Sequence, residues 1–246
     1  MTIFRNVVFI AAIAGLMSAI AMTAMQTYAT VPLILQAETF EQAGGGHDHG
    51  TAAQTAAEAA APAHDHDDEA WGPADGFERF AYTAAANIVT GIGFALLLVA
   101  VSEFTGGISS WRAGVLWGLG GFAVFTLAPG LGLPPELPAM PAADLGDRQV
   151  WWMATVIATA SGLALIAFRG TIVLSLVGVA LIVAPHIVGA PQPVSHESPV
   201  PQDLHHRFVV AVTLSNLVFW VLLGGISGVV RSRFASPASG LRDSFA

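Results

Sequence analysis

The chain has 246 residues, of which 54% are hydrophobic and 11% charged, with a formal net charge of −8. A soluble domain carries about 25% charged residues, so this composition excludes an ordinary globular protein, and the acidic balance argues against a nucleic-acid partner. Cysteine and lysine are absent, which removes disulfides, thiolate metal sites, Schiff bases and the lysine of a P-loop ATPase.

A membrane-spanning helix needs roughly 20 mainly apolar residues. Six stretches qualify in chain order, at about 7–29, 80–101, 113–131, 150–168, 171–190 and 208–230. The expected fold is an all-α integral membrane protein. It is a bundle of about six transmembrane helices with a disordered, acidic, His-rich outer loop.

The chain divides accordingly into five parts. Residues 1–36 hold the first helix and 37–77 the loop. Residues 78–135 form one transmembrane hairpin with an outer loop, and 147–192 a second. Residues 193–246 hold an outer His-bearing loop, the last helix and a tail.

The first stretch, with Arg5 ahead of it and small residues near Thr27–Thr30, also fits a cleaved signal peptide. Its apolar length favours an uncleaved helix. With the N-terminus in the cytoplasm, Arg5, Arg112, Arg169, Arg231, Arg233 and Arg242 lie inside, against Arg79, Arg148 and Arg207 outside. That is the positive-inside pattern, with both termini cytoplasmic. Fifteen of the seventeen acidic residues then lie outside, all except Glu103 and Asp243, as do all eight histidines.

The loop at 37–77 carries four histidines, nine carboxylates and no basic residue. Its ligands fall in two His-Asp-His triplets, His47-Asp48-His49 and His64-Asp65-His66, the second continued by Asp67. Alternate residues of an extended segment project to one side, so two imidazoles can grip one divalent ion, and carboxylates add hard donors. The alternative is a solvated acidic loop.

Within the helices no ionisable residue lies deep in a span, and such groups usually mark ion paths. Polar residues do share helix faces: Thr23, Gln26 and Thr27 on the first, Thr83, Asn87 and Thr90 on the second, Thr213 and Asn216 on the last. Gln26, Asn87 and Asn216 are the candidate pathway residues. Interhelical hydrogen bonding explains the same pattern.

Pro129 and Pro185 sit near outer helix ends, and His186 follows Pro185 directly. His186, His205 and His206 are therefore candidate entry ligands. Gly114/Gly118 and Gly224/Gly228 are small-residue ridges for close helix packing, one of which could face a partner. Trp111, Trp151 and Trp152 sit where interfacial belts are expected.

Two hairpins show a weak repeat. Arg79 to Leu96 aligns with Arg148 to Leu165 at seven of eighteen positions. No nucleophile–base arrangement is visible, and a zinc hydrolase would need a fixed three-ligand site, so the chain reads as a non-enzyme.

Several motifs together resemble one family. They are the loop triplets, Trp71-Gly72-Pro73-Ala74-Asp75-Gly76-Phe77-Glu78-Arg79, Gly93-Phe94-Ala95-Leu96-Leu97-Leu98, the Pro-rich run from Ala128 to Pro138, Asp147-Arg148-Gln149-Val150-Trp151-Trp152, Pro185-His186 with Gly189-Ala190-Pro191, and Asn216-Leu217-Val218-Phe219-Trp220. The chain resembles the CbtA-type predicted cobalt transporter subunits of bacteria over nearly its whole length. The resemblance implies an inner-membrane subunit for Co²⁺ uptake feeding cobalamin synthesis, with no tightly bound cofactor. It also implies a small CbtB-type single-helix partner. The residues alone do not select cobalt, because imidazole and carboxylate bind nickel, copper and zinc at least as well. A membrane-anchored metal buffer or sensor, or a scaffold subunit, remains the alternative on residue chemistry.

Overall fold

The computed structural model describes residues 2–45 and 73–234. Among them there is no strand. The helices are α1 (Thr2–Met25), α2 (Val31–Gly45), α3 (Phe77–Glu103), α4 (Trp111–Phe122), α5 (Ala128–Gly132), α6 (Leu145–Arg169), α7 (Ile172–Val188) and α8 (Gln202–Phe234). A π turn, Gln26–Thr30, joins α1 to α2 in one rod, and a second, Ala123–Leu127, joins α4 to α5.

Five rods are long and apolar enough to cross a membrane: Phe4–Gln42, Phe77–Glu103, Trp111–Gly132, Leu145–Arg169 and Gln202–Arg233. The expected fifth span, α7, has 17 residues. At 1.5 Å per residue it reaches only about 25 Å, short of the roughly 30 Å hydrocarbon core. The protein is thus a multi-pass membrane bundle, with five rods of full crossing length and one shorter apolar helix among the described residues.

The two π turns have a common cause. Each is followed, two residues after its end, by a proline: Pro32 after Thr30 and Pro129 after Leu127. A proline inside a helix has no N–H to give and its ring crowds the carbonyl four residues back. Widening one turn relieves that crowding. The N–H of Val31 bonds the carbonyl of Gln26 and that of Ala128 the carbonyl of Ala123, the five-residue bonds of the widened turns, and the α-helix resumes beyond them.

The first rod outruns the expected span of 7–29 and enters the segment read as loop. Its extension is amphipathic. Leu33 and Ala37 are buried against Leu137, Val200, Leu204 and Phe208, while Glu38 is paired with Arg79 at 2.8 Å. Burying that stripe stabilises the helical extension. Residues 46–72 of the expected loop, with both His-Asp-His triplets, lie outside the described residues.

Three helix pairs are zipped at glycines. A Cβ on Gly15 of α1 would lie 2.6 Å from Cα of Ile92 on α3, and one on Gly91 would lie 2.8 Å from O of Gly15. The ridges Gly114/Gly118 on α4 and Gly224/Gly228 on α8 face each other, so that a Cβ on Gly114 would overlap the carbonyl of Gly224. These two ridges therefore serve the chain's own packing. On α6 and α7, a Cβ on Gly178 would lie 2.6 Å from O of Gly162. The α6–α7 pair meets the rest of the bundle mainly at the second π turn and α5. It packs along its length, whereas α3 and α4 barely touch.

Helix ends follow local chemistry. Asp144 caps α6 by accepting from the N–H of Gly146 at 2.8 Å and of Asp147 at 3.1 Å. Gly170, at φ 61, ends that helix in the left-handed region that suits glycine, and α7 begins two residues on. The tight hairpin expected at Phe168-Arg169-Gly170 is there. Ser110 caps α4 through Ala113 N–H at 3.2 Å.

The bundle has two chemically distinct ends. Arg5, Arg112, Arg169, Arg231 and Arg233 mark one, where the single described carboxylate, Glu103, is ion-paired with Arg231. At the acidic end Arg79 bridges Glu38 and Asp75, and Arg148 bonds Glu136 at 3.0 Å.

A polar network at the first π turn and the histidines of the acidic end

The first π turn brings three polar side chains together. The Asn87 amide of α3 donates to Gln26 Oε1 at 2.7 Å and to Thr23 Oγ1 at 3.0 Å. Thr23 and Thr27 donate in turn to the carbonyls of Ala19 and Thr23, at 2.9 and 2.8 Å. Thr30 donates to the Gln26 carbonyl at 3.1 Å. Of the expected pathway residues, Gln26 and Asn87 thus meet across the α1–α3 interface.

Asn216 does not join them. Its amide turns back to the carbonyl of Val212 at 2.9 Å, and Thr213 does the same to Val209 at 2.7 Å. Thr90 is exposed and Thr83 half-buried. The network is neutral. Its amide and hydroxyl oxygens can replace part of a cation's hydration shell, and it has no charge of its own to hold a divalent ion.

An aromatic layer lies beyond this network, toward the arginine-rich end. Phe94 is two turns past Asn87 on α3, and Trp220 is one turn past Asn216 on α8. With Phe125 of the second π turn they form a contiguous cluster. Phe94 and Trp220 are 4.9 Å apart between ring centres, Phe94 and Phe125 5.1 Å, and Phe125 and Trp220 are stacked at 5.6 Å. Trp152 of α6 reaches the same cluster, 6.3 Å from Phe125. The sequence reading missed this layer. Its signal lay in the Asn216–Trp220 motif, where Trp220 is 2% exposed.

The histidines are spread over the acidic end. His186, in the last turn of α7, meets Trp151 edge-on at 5.9 Å. The Trp151 indole N–H donates to the Pro185 carbonyl at 3.2 Å, and the Gly189 N–H donates to the same oxygen at 3.0 Å. Trp151 therefore clamps the Pro-His corner. It is buried, which corrects its expected place in an interfacial belt. The polar indole edge has found a protein carbonyl in place of headgroups. Trp111 is exposed, as a belt residue would be.

His205 Nε2 lies 3.1 Å from the Pro135 carbonyl. A carbonyl only accepts, so Nε2 carries the hydrogen and Nδ1 is the basic nitrogen. That is the hydrogen bonding that orients a metal-binding imidazole elsewhere. His206 is exposed. Among the described residues no three His, Asp or Glu side chains are placed to hold one metal ion. His186, His205 and His206 are thus not gathered into a site. His47, Asp48, His49, His64, Asp65, His66 and Asp67 all lie outside the described residues.

The Pro-rich run organises this end. Leu137 is buried between Leu204 and Phe208 of α8 and Leu33 of α2. Ala139 takes φ 65 as the Met140 N–H closes a turn onto Leu137 O at 3.2 Å, a position that ordinarily favours glycine. Pro135 holds His205, and Glu136 holds Arg148. One loop therefore ties together α2, α6 and α8.

Neither a curated protein nor a solved structure matches the chain. Residues 4–232 match the sequence model of the family described as probable cobalt transporter subunit, CbtA. With nearly its whole length covered, the chain belongs to the CbtA family.

Proposed function

We propose that the chain is the membrane subunit of a Co²⁺ uptake transporter in a bacterial inner membrane, with its arginine-rich end and both termini in the cytoplasm. The observation that carries this is the family match over residues 4–232 on a multi-pass helical bundle. The arginine distribution supports the orientation.

The acidic end faces the periplasm in this reading. The triplets His47-Asp48-His49 and His64-Asp65-His66, with Asp67, collect Co²⁺ and raise its local concentration in a negative field. His186, His205 and His206 relay the ion toward the neutral oxygens of Thr23 and Gln26, beside Asn87, with Asn216 as a separate polar residue of the route on α8. The aromatic layer of Phe94, Phe125 and Trp220 closes the route in this conformation. A small single-helix partner of the CbtB type completes or gates it. The chain performs no covalent chemistry and needs no resident cofactor.

One observation favours a second reading, a metal buffer without flux. The Gln26 and Thr23 oxygens already accept from Asn87, and no ionisable group accompanies them.

Uptake of trace radiocobalt separates the two, in cells lacking other cobalt importers, with and without the partner. Uptake that needs the chain, and that falls at low cobalt when His47, His49, His64 and His66 are alanine, supports import fed by the loop. Cobalt bound by the purified chain with no uptake under any pairing sinks import and leaves the buffer.

A further inference from the structure

An apolar cavity of about 530 Å³ opens between α3, α4 and α6. Val101, Trp117, Gly120, Ala164 and Phe168 are among its lining residues. It is of the size that holds a small-molecule ligand, and its wall is almost wholly hydrocarbon and aromatic. Trp117 and Phe168 meet across it at 6.1 Å between ring centres. On α6 the lining runs from Ala160 to Phe168, a rise of about 12 Å. That is roughly half of the ~30 Å hydrocarbon core. Toward the acidic end the lining reaches no further than Phe125 on the α4 rod and Ala160 on α6. The cavity therefore belongs to one leaflet, the one on the arginine-rich side.

Its mouth is cationic. Arg112 lies one turn before the lining residue Leu116 on α4, and Arg169 directly follows Phe168 on α6. Both are exposed, and neither forms an ion pair with a described carboxylate. Glu103, the one described acid at this end, is neutralised by Arg231. Arg112 also lies over the exposed Trp111 ring, 5.5 Å from its centre, an arrangement suited to headgroup level.

We propose that this cavity is a binding site for an anionic glycerophospholipid of that leaflet. One acyl chain fills the cavity and the phosphate is held between Arg112 and Arg169. A one-leaflet cavity fits a lipid and not a partner's transmembrane helix, which would need a groove across both leaflets. The pairing of a hydrocarbon slot with two unneutralised guanidinium groups specifies the headgroup charge. The site stands whether or not the chain carries cobalt.

The test is native mass spectrometry of the full purified chain, titrated with phosphatidylglycerol or phosphatidylcholine of identical acyl chains. The expected result is a preference of about tenfold or more for phosphatidylglycerol, from two arginine contacts. R112Q/R169Q levels the two lipids, weakening phosphatidylglycerol more than phosphatidylcholine. Gly120→Phe fills the cavity and weakens both lipids; a Cβ at Gly120 meets nothing within 4 Å. Ala164→Phe, on the facing helix, does the same independently should the first variant fail to fold.

Equal binding of the two lipids by the unmodified chain overturns the proposal. So does a preference that survives R112Q/R169Q, or full binding in a folded filled variant. A co-purifying single-helix protein released by Gly120→Phe would assign the cavity to a partner instead.

Discussion

Asn87 of α3 donates one amide nitrogen to two acceptors on the neighbouring rod, Gln26 Oε1 at 2.7 Å and Thr23 Oγ1 at 3.0 Å. Asn87→Leu removes both bonds and leaves the Gln26 oxygen without its donor. Interhelical bonds in membranes are worth about 0.6 kcal/mol on average and about 1.7 at most. The variant should lose about 1–2 kcal/mol, read as a lower midpoint of thermal unfolding in detergent. In the proposed transporter its cobalt uptake should fall further than its stability does. Uptake unchanged per folded molecule would remove the network from the route.

Replacing glycine in the zipped pairs should be severe. Gly224→Leu places a side chain where the Gly114 backbone lies. Overpacking of this kind typically costs about 1–3 kcal/mol and often more where backbone must move. The expected outcome is loss of monodisperse protein in gel filtration. Gly93→Ala, on α3, meets nothing within 4 Å and should elute as the unmodified chain does.

The Arg231–Glu103 pair joins the ends of α8 and α3, with its side chains 24% and 30% exposed. Partial exposure places its worth with surface pairs, at most about 1 kcal/mol. A double-mutant cycle of Arg231→Gln and Glu103→Gln should give a coupling of that order, shrinking as salt is raised. A coupling of several kcal/mol would mean the pair is more deeply shielded than the structure shows.

Metal capture by histidine requires the neutral ring. As pH falls through about 6.5, protonation competes with the metal. Uptake at trace cobalt should therefore decline on acidification in the intact chain. It should depend less on pH when His47, His49, His64 and His66 are alanine. Equal pH dependence in both would place the titrating step outside the loop.

The spans were legible because lipid demands long apolar runs, and the hairpin at Gly170 because one residue there needs a positive φ. The continuation of the first rod to Gly45 was hidden for two reasons. The segment after Thr30 is too short and polar to count as a span by itself, and the π turn at Gln26 shifts the helical register just before it. The meeting of Gln26 with Asn87 was half legible, since each marks a polar helix face, but nothing local says which faces oppose. Asn216 shows the limit, because its amide prefers its own helix's carbonyl. Trp151 reads as a belt residue by position, and only the fold brings the Pro185 carbonyl within its reach.

The glycine contacts set what can move in this bundle. Backbones in direct contact leave little room to slide, so α1–α3, α4–α8 and α6–α7 behave as three struts of two helices each. Relative motion is left to the seams between struts, and least to the one where α1 packs closely along α8. Phe94 comes from the first strut, Phe125 and Trp220 from the second, and Trp152 from the third. The aromatic layer is therefore the joint at which all three struts bear on one another, and a shift of any strut is felt there first.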